Sequence, residues 1–219
     1  MKPIIFARVA DMKYYKGITP GDVPVNGGSY VKDTGLAHEC MNFARVHTED
    51  GQDYCLGFSE ISNSAGRGTI KLEKIIGCAG MKGQPFAEDV IVVFCSKAVN
   101  SKSMRVVGFY RNATVFSEYQ IASFGEDEDQ YYSFLAKAED CVLLPFRERH
   151  SNSAWYVPAS GKNGSSFGFG RSNIWYAQGS EENTKLHDYL ERMIKSVEDY
   201  NGENWLDTCW MPDSETDRR

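Results

Sequence analysis

The 219-residue sequence has no CxxC pair and no Cys/His cluster at zinc spacing, although it holds six cysteines. Cys40, Cys55, Cys78, Cys95, Cys141 and Cys209 are scattered, and Cys95 sits inside a strand-like run. This usage excludes a zinc ribbon or a disulfide framework and reads as reduced, buried thiols of a cytoplasmic protein. No apolar run approaches the length that spans a bilayer, so no membrane partner is expected. Met1-Lys2-Pro3 leads straight into Ile4-Ile5-Phe6-Ala7, without the longer apolar core or the small-residue cleavage site of a secretory signal. There is no HExxH and no Ser/His/Asp order. Gly161-Lys162 is followed by Asn163, where a Walker loop needs Ser or Thr, and the strand-turn-helix context of a dinucleotide fingerprint is missing. His38, Glu39 and His47 lack a helix to set ligand geometry. No metal and no cofactor are therefore expected.

What remains is a soluble globular composition, 42% hydrophobic and 25% charged. The length suits one domain, 1–219, with elaborations. The net charge of −6 argues against a protein that coats nucleic acid non-specifically, but it is unevenly spread. Residues 1–123 hold fourteen basic against twelve acidic side chains, and residues 141–180 hold four against one. The acid is concentrated in 124–140, read as an acidic insertion, and in 181–219, with eleven acids against five bases. A face built from the basic stretches can steer an anionic ligand while the whole chain stays acidic.

The clearest stretch runs from Asp89 to Phe116. Val90-Ile91-Val92-Val93-Phe94-Cys95 is almost wholly β-branched and aromatic, the composition of a strand buried on both faces. After a polar loop the chain resumes as Val106-Val107-Gly108-Phe109-Tyr110, is interrupted by Arg111-Asn112, and continues as Ala113-Thr114-Val115-Phe116. An Arg-Asn pair inside an apolar strand costs desolvation unless it is hydrogen-bonded. Two readings follow: a bulge from which Arg111 reaches water, or a ligand site lined by Arg111 and Asn112. Ile4 to Val9 and Asp53 to Phe58 read as further strands, as does Thr69 to Ile76 from its alternation. Thr19 to Gly35 is a Pro/Gly-rich loop. Tyr131 to Ala138 has a helical look, and Cys141 to Phe146 a strand-like one. Glu181 to Tyr200 is an amphipathic helix with Ser180 as its N-cap; Asn204 to Trp210 packs beside it, and Pro212 to Arg219 is a polar tail. Strands separated by Gly-rich connections favour a barrel or a strongly bent sheet over a βαβ array.

The run DVIVVF, a polar loop and VVGF resemble the central hairpin of PUA-like domains, particularly the EVE and YTH branches. MKYYKG, HECMNF, VGFYRNATVF and GRSNIWYA are similar to a module of bacterial proteins, some of which carry an HNH nuclease; the HNH motif itself is absent here. The resemblance implies an α+β fold, a small bent β-barrel with flanking helices. It also implies that a nucleobase, often modified, enters an aromatic pocket. That chemistry needs rings to replace lost stacking and polar groups to read the base edge. Tyr14, Tyr15, Trp155, Tyr156 and Trp175 are the stacking candidates, Asn112, Ser172 and Asn173 the edge readers, and Lys16, Arg111 and Arg171 the phosphate contacts. The expected partner is nucleic acid, DNA ahead of RNA, in restriction or phage defence alongside a separately encoded nuclease. Two alternatives from other classes are a base-flipping glycosylase or nuclease using His38, Glu39, Asp89 or His150, and a protein-interaction domain whose acidic ends face a basic partner.

Overall fold

The computed structural model describes residues 1–25, 38–63, 66–97, 103–125, 129–160 and 165–208. In chain order the strands are β1 (Ile4–Arg8), β2 (Arg45–His47), β3 (Asp53–Gly57), β4 (Ser62–Asn63), β5 (Gly66–Arg67), β6 (Phe86–Ser96), β7 (Met104–Ser123), β8 (Asp129–Lys137), β9 (Cys141–Leu143), β10 (Tyr156–Val157) and β11 (Ile174–Trp175). Among the described residues two α-helices join them, α1 (Phe146–Ser151) and α2 (Thr184–Glu198).

The β-branched run found in the sequence is the centre of this α+β fold. β6 and β7 pair antiparallel, and β7, at 20 residues, is long enough to serve three partners on its other edge. It takes β10 at residues 104–105, β9 at 108–110 and β8 from Thr114 onward. The resulting nine-stranded sheet runs β11-β1-β6-β7-β8-β3-β2, with β9 and β10 on β7, while β4 and β5 form a separate ribbon. β1 and β6 are parallel and the other pairings are antiparallel. Among the described residues the sheet is open, ending on β11 and β2.

Side chains alternate across a strand, and here both faces are buried. One core joins Ile5, Ala7, Val92, Phe94, Tyr110 and Phe134 to the rings of Tyr15 and Phe43. The other joins Ile4, Phe6, Ile91, Val93 and Phe109 to Trp155, Phe169 and α2. The sheet curls around the first core. A Cβ at Gly57 on β3 would lie 2.7 Å from Phe94 Cζ on β6, three strands away along the sheet. A Cβ at Gly108 would meet Phe43 Cζ at 2.4 Å and the Val142 carbonyl at 2.5 Å, so glycine is what lets β7 and the Phe43 ring close up.

Arg111-Asn112 is a bulge. Val90 pairs Ala113 while Val92 pairs Tyr110, so β7 carries one extra residue there, and Asn112 takes a left-handed φ of 46°. A second bulge on β6 places Asp89 at φ 57°.

Four expectations need correction. Thr69 to Ile76 is not a strand: its buried residues, Ile70, Leu72 and Ile75, change from a spacing of two to three as the chain turns through a 3-10 helix at Leu72–Lys74. Tyr131 to Ala138 is not helical, because the segment lies in β8 with β7 on one edge and β3 on the other, and its aromatic residues suit that half-buried sheet. Helix α2 begins at Thr184, capped by Asn183, whose Oδ1 accepts the Leu186 N–H at 3.2 Å, rather than by Ser180. Leu186, Leu190, Met193, Ile194 and Val197 form its buried stripe. The segment after it turns away from the helix: Leu206 joins the first core, and Asn204 bonds to Leu143 N–H and Cys141 O on β9. The tail from Pro212, most of the acidic run 126–129 and most of the 19–35 loop lie outside the described residues.

Candidate functional site

The residues singled out in the sequence fall into four places. The first is the loop after β1. Tyr15 is fully buried at a φ of 52°. Its hydroxyl donates to Ala10 O at 2.6 Å and accepts the Met12 N–H at 3.3 Å. Burial drives its phenol far above the ordinary value. Tyr14 is buried and stacks on Trp205 with centroids 5.5 Å apart, and Lys16 Nζ donates to the carbonyls of Trp205 at 3.0 Å and Thr208 at 2.6 Å. The Asp22 carboxylate gathers the N–H groups of Lys13, Tyr14 and Tyr15. The two tyrosine rings are thus occupied by the protein itself.

Arg111 and Asn112 form the second place. Arg111 Nε and Nη2 donate to Val197 O at 2.9 and 2.7 Å, and Nη2 also donates to Tyr200 O at 3.0 Å. Val197 O lies in the last turn of α2 and Tyr200 O just beyond its end, so a cation there meets open carbonyls and suits the helix dipole. Asn112 Nδ2 donates to Asp140 Oδ1 at 3.0 Å. The bulge therefore serves the helix end rather than a cleft.

In the third place the neighbours Trp155 and Tyr156 part company. Trp155 is buried, stacked on Phe109 at 5.8 Å, with its indole N–H donating to Glu148 Oε1 at 3.2 Å. Tyr156 is 42% exposed, and the Arg105 guanidinium lies 5.1 Å from its ring centre. In the fourth, Trp175 is packed among Phe6 at 4.6 Å, Phe169 at 5.8 Å and Tyr189 at 6.0 Å. Asn173 Nδ2 donates to Glu60 O at 2.9 Å, and Ser172 Oγ accepts the Ile174 N–H at 3.1 Å. Arg171 is exposed on the same turn.

The structure adds two arginines that sequence reasoning missed. Arg8 ends β1. Its guanidinium lies 5.1 Å from the Phe169 ring centre, and Nη2 donates to Gly170 O at 2.8 Å. Arg8 Nε is buried without an acceptor, and so is Arg105 Nη1. Burial lowers the Arg8 pKa from its ordinary value. Arg8 pairs in register with Cys95, Arg105 pairs with Ser96, and Tyr156 pairs with Arg105. Both cations therefore stand at the same end of the sheet, where β1 and β6 run out. The signal in the sequence is a lone arginine at the boundary of each apolar run, Ile4-Ile5-Phe6-Ala7-Arg8 and Arg105-Val106-Val107.

The same end carries a titratable group held in place from behind. Ser96 Oγ donates to Asp11 Oδ1 at 2.6 Å. Arg149 of α1, 1% exposed, donates to Leu144 O at 2.8 Å and to Met12 O and Lys13 O at 2.7 Å each, which fixes the loop that holds Asp11. Burial, with Arg149 and Arg105 adding to it, holds the His150 imidazole below its ordinary pKa against the opposing pull of Asp11. Of the other residues considered for catalysis, His38 Nδ1 accepts the Tyr131 N–H at 3.3 Å and its ring lies edge-on to Tyr131 and Phe58. Glu39 is buried, and that burial lifts its carboxyl to about 7, helped by nearby Glu60 and opposed by a hydrogen bond from the Ala10 N–H. Among the described residues no group of three or more His, Cys, Asp or Glu side chains is placed to hold a metal ion, and no helix is long and apolar enough to cross a membrane.

No family model, no curated protein and no solved structure matches the chain.

Proposed function

We propose that the protein is a nucleic-acid-binding module that takes a base, modified in its natural target, at the end of the sheet where β1 and β6 run out. In this reading the curled sheet is a PUA-like barrel. Tyr156 is the stacking platform, and Arg8, Arg105 and Arg171 contact phosphate. One observation carries the reading: two guanidinium groups at one end of the sheet, each laid against an aromatic ring, each keep a buried N–H that no atom of the described residues accepts. Both side chains are half-buried; an unmet donor on such a cation is costly, and a phosphodiester oxygen is the acceptor that arginine geometry suits best. Tyr156 is the member of the stacking set with an open ring, and a stacked base contributes about 1–3 kcal/mol. The resemblance to base-reading modules puts DNA ahead of RNA and a separately encoded nuclease downstream.

Fluorescence anisotropy on modified and unmodified DNA and RNA strands, at low and at physiological salt, tests this. Binding that weakens steeply with salt, and a Tyr156→Ala variant weakened by about 1–3 kcal/mol with an unchanged melting temperature, are the expected results. Failure of the wild type to bind any of these strands at low salt would overturn the proposal.

A further inference from the structure

The two arginines share an end of the sheet but not a face. Arg8 follows Ile4 and Phe6 at intervals of two, and both belong to the core under α2, as does Phe169 beneath its guanidinium. Arg105 lies between Met104 and Val106, which also belong to that core, so its own side chain points to the opposite face. Its register partner Ser96, which follows Cys95 of the same core, points that way too and holds Asp11 there. Between Arg8 and Arg105 stands only β6, so their backbones are two strand spacings apart, ~10 Å.

A ligand resting on one face reaches one of these cations. A single phosphate cannot satisfy Arg8 Nε and Arg105 Nη1 together, because the thickness of the sheet separates them. From this we infer that the bound nucleic acid is a single strand that passes over the end of the sheet, with one phosphate on the Arg8–Arg171 side and another on the Arg105 side. The inference rests on the proposed function and adds the path of the strand. The ~10 Å between the two backbones exceeds the separation of adjacent phosphates on one strand, so more than one nucleotide step makes the crossing. Tyr156, opposite Arg105 in register, then takes a base from the stretch that makes the crossing, where the turn of the backbone has already unstacked it. Asp11 faces the Arg105 side as an anion. Its carboxylate is tied by Ser96 and lies in the field of Arg149, which lessens its repulsion of a phosphate.

The test measures binding of single strands of about two to twelve nucleotides to wild type, Arg8→Ala, Arg105→Ala and the double variant, across a range of salt, with Arg8→Lys and Arg105→Lys as charge-preserving controls and a thermal melt on each protein. With the longer strands each alanine variant is expected to lose about tenfold in affinity and about one charge from the salt slope, and the double variant to lose the product of the two. With a dinucleotide the double variant should lose no more than the worse single one, since so short a strand reaches one side only. If one arginine proves indifferent for long strands while the other is sensitive, or if dinucleotide and long strands respond alike, the crossing path is wrong while nucleic-acid binding stands. If folded wild type binds no strand at all, the proposed function falls and the crossing with it.

Discussion

Replacing Glu39 by Gln should flatten the dependence of stability on pH. The Glu39 side chain is buried at the start of the His38–Met41 turn, and its carboxyl is lifted from an ordinary 4.5 to about 7 by burial, with Glu60 adding repulsion and the Ala10 N–H opposing the rise. A folded-state value above the unfolded one means that the protonated form is the one the fold favours. The stabilisation is complete below about pH 4.5 and is lost as pH climbs through about 7. At about 1.4 kcal/mol per decade, the span between the two values is worth about 3 kcal/mol. Gln keeps an oxygen for the Ala10 N–H and carries no charge at any pH. Urea unfolding followed by tryptophan fluorescence, at about pH 5 and about pH 8, measures the difference. Wild type and Glu39→Gln should lie within ~1 kcal/mol of each other at the lower pH, with the variant ahead by up to about 3 kcal/mol at the higher one. Every other titrating group is common to both proteins and cancels in the comparison. Parallel pH profiles for the two proteins would show that the Glu39 carboxyl is already ionised at neutral pH and that water reaches it.

Two further substitutions separate support from binding. Arg111→Ala removes the bonds to the carbonyls of Val197 and Tyr200. It should cost about 1.5–3 kcal/mol in chemical denaturation and leave oligonucleotide affinity where it was; a variant of normal stability that no longer binds would return Arg111 to the binding surface. Gly108→Ala drives a methyl against Phe43 Cζ and the Val142 carbonyl. It should destabilise by about 1–3 kcal/mol or more, as overpacked cores do; an unchanged denaturation midpoint would show that Phe43 and β9 can both give way.

The strands were legible where local composition decided them. Ile4 to Val9, Asp53 to Phe58 and the two halves of the central hairpin carry β-branched and aromatic residues that have no comparable helical use. Tyr131 to Ala138 was misread because its fate depends on β3 and β7, which lie far off in the sequence and supply hydrogen bonds to both of its edges. Thr69 to Ile76 failed for the converse reason, since two apolar positions at a spacing of two do not distinguish a strand from the entry to a 3-10 turn. The site residues divide in the same way. Arg171 and Tyr156 remain open to solvent in loops and short edge strands. Tyr15, Trp155 and Arg111 look functional in a linear reading because aromatic and cationic side chains can serve either packing or recognition. In the fold they bond to Ala10, Glu148 and Val197, contacts that are visible only in three dimensions. Arg8 and Arg105 drew no notice as single charges at strand ends. They are brought to one end of the sheet by parallel pairing across 87 residues of chain, from Arg8 to Cys95, and by the pairing of Ser96 with Arg105.

Two of the three register shifts of the central hairpin, those at Asp89 and Asn112, also show where its length can change. On β6, Ala87 and Val90 lie three residues apart yet face the same core, and on β7 Tyr110 and Ala113 do the same. One strand gains a residue and the other gains one a single pair later, so the offsets cancel. Beyond both bulges Ala87 meets Val115 in the same register by which Val92 meets Tyr110. Removing the extra residue from either bulge alone would leave a step of two residues on both strands between the flanking pairs, the ordinary spacing, so the side chains beyond it keep their faces and only the local bend is lost. The hairpin can therefore lose a residue at either point and keep both cores, whereas a residue lost from a regularly paired stretch of β6 or β7 would turn the side chains beyond it to the wrong face.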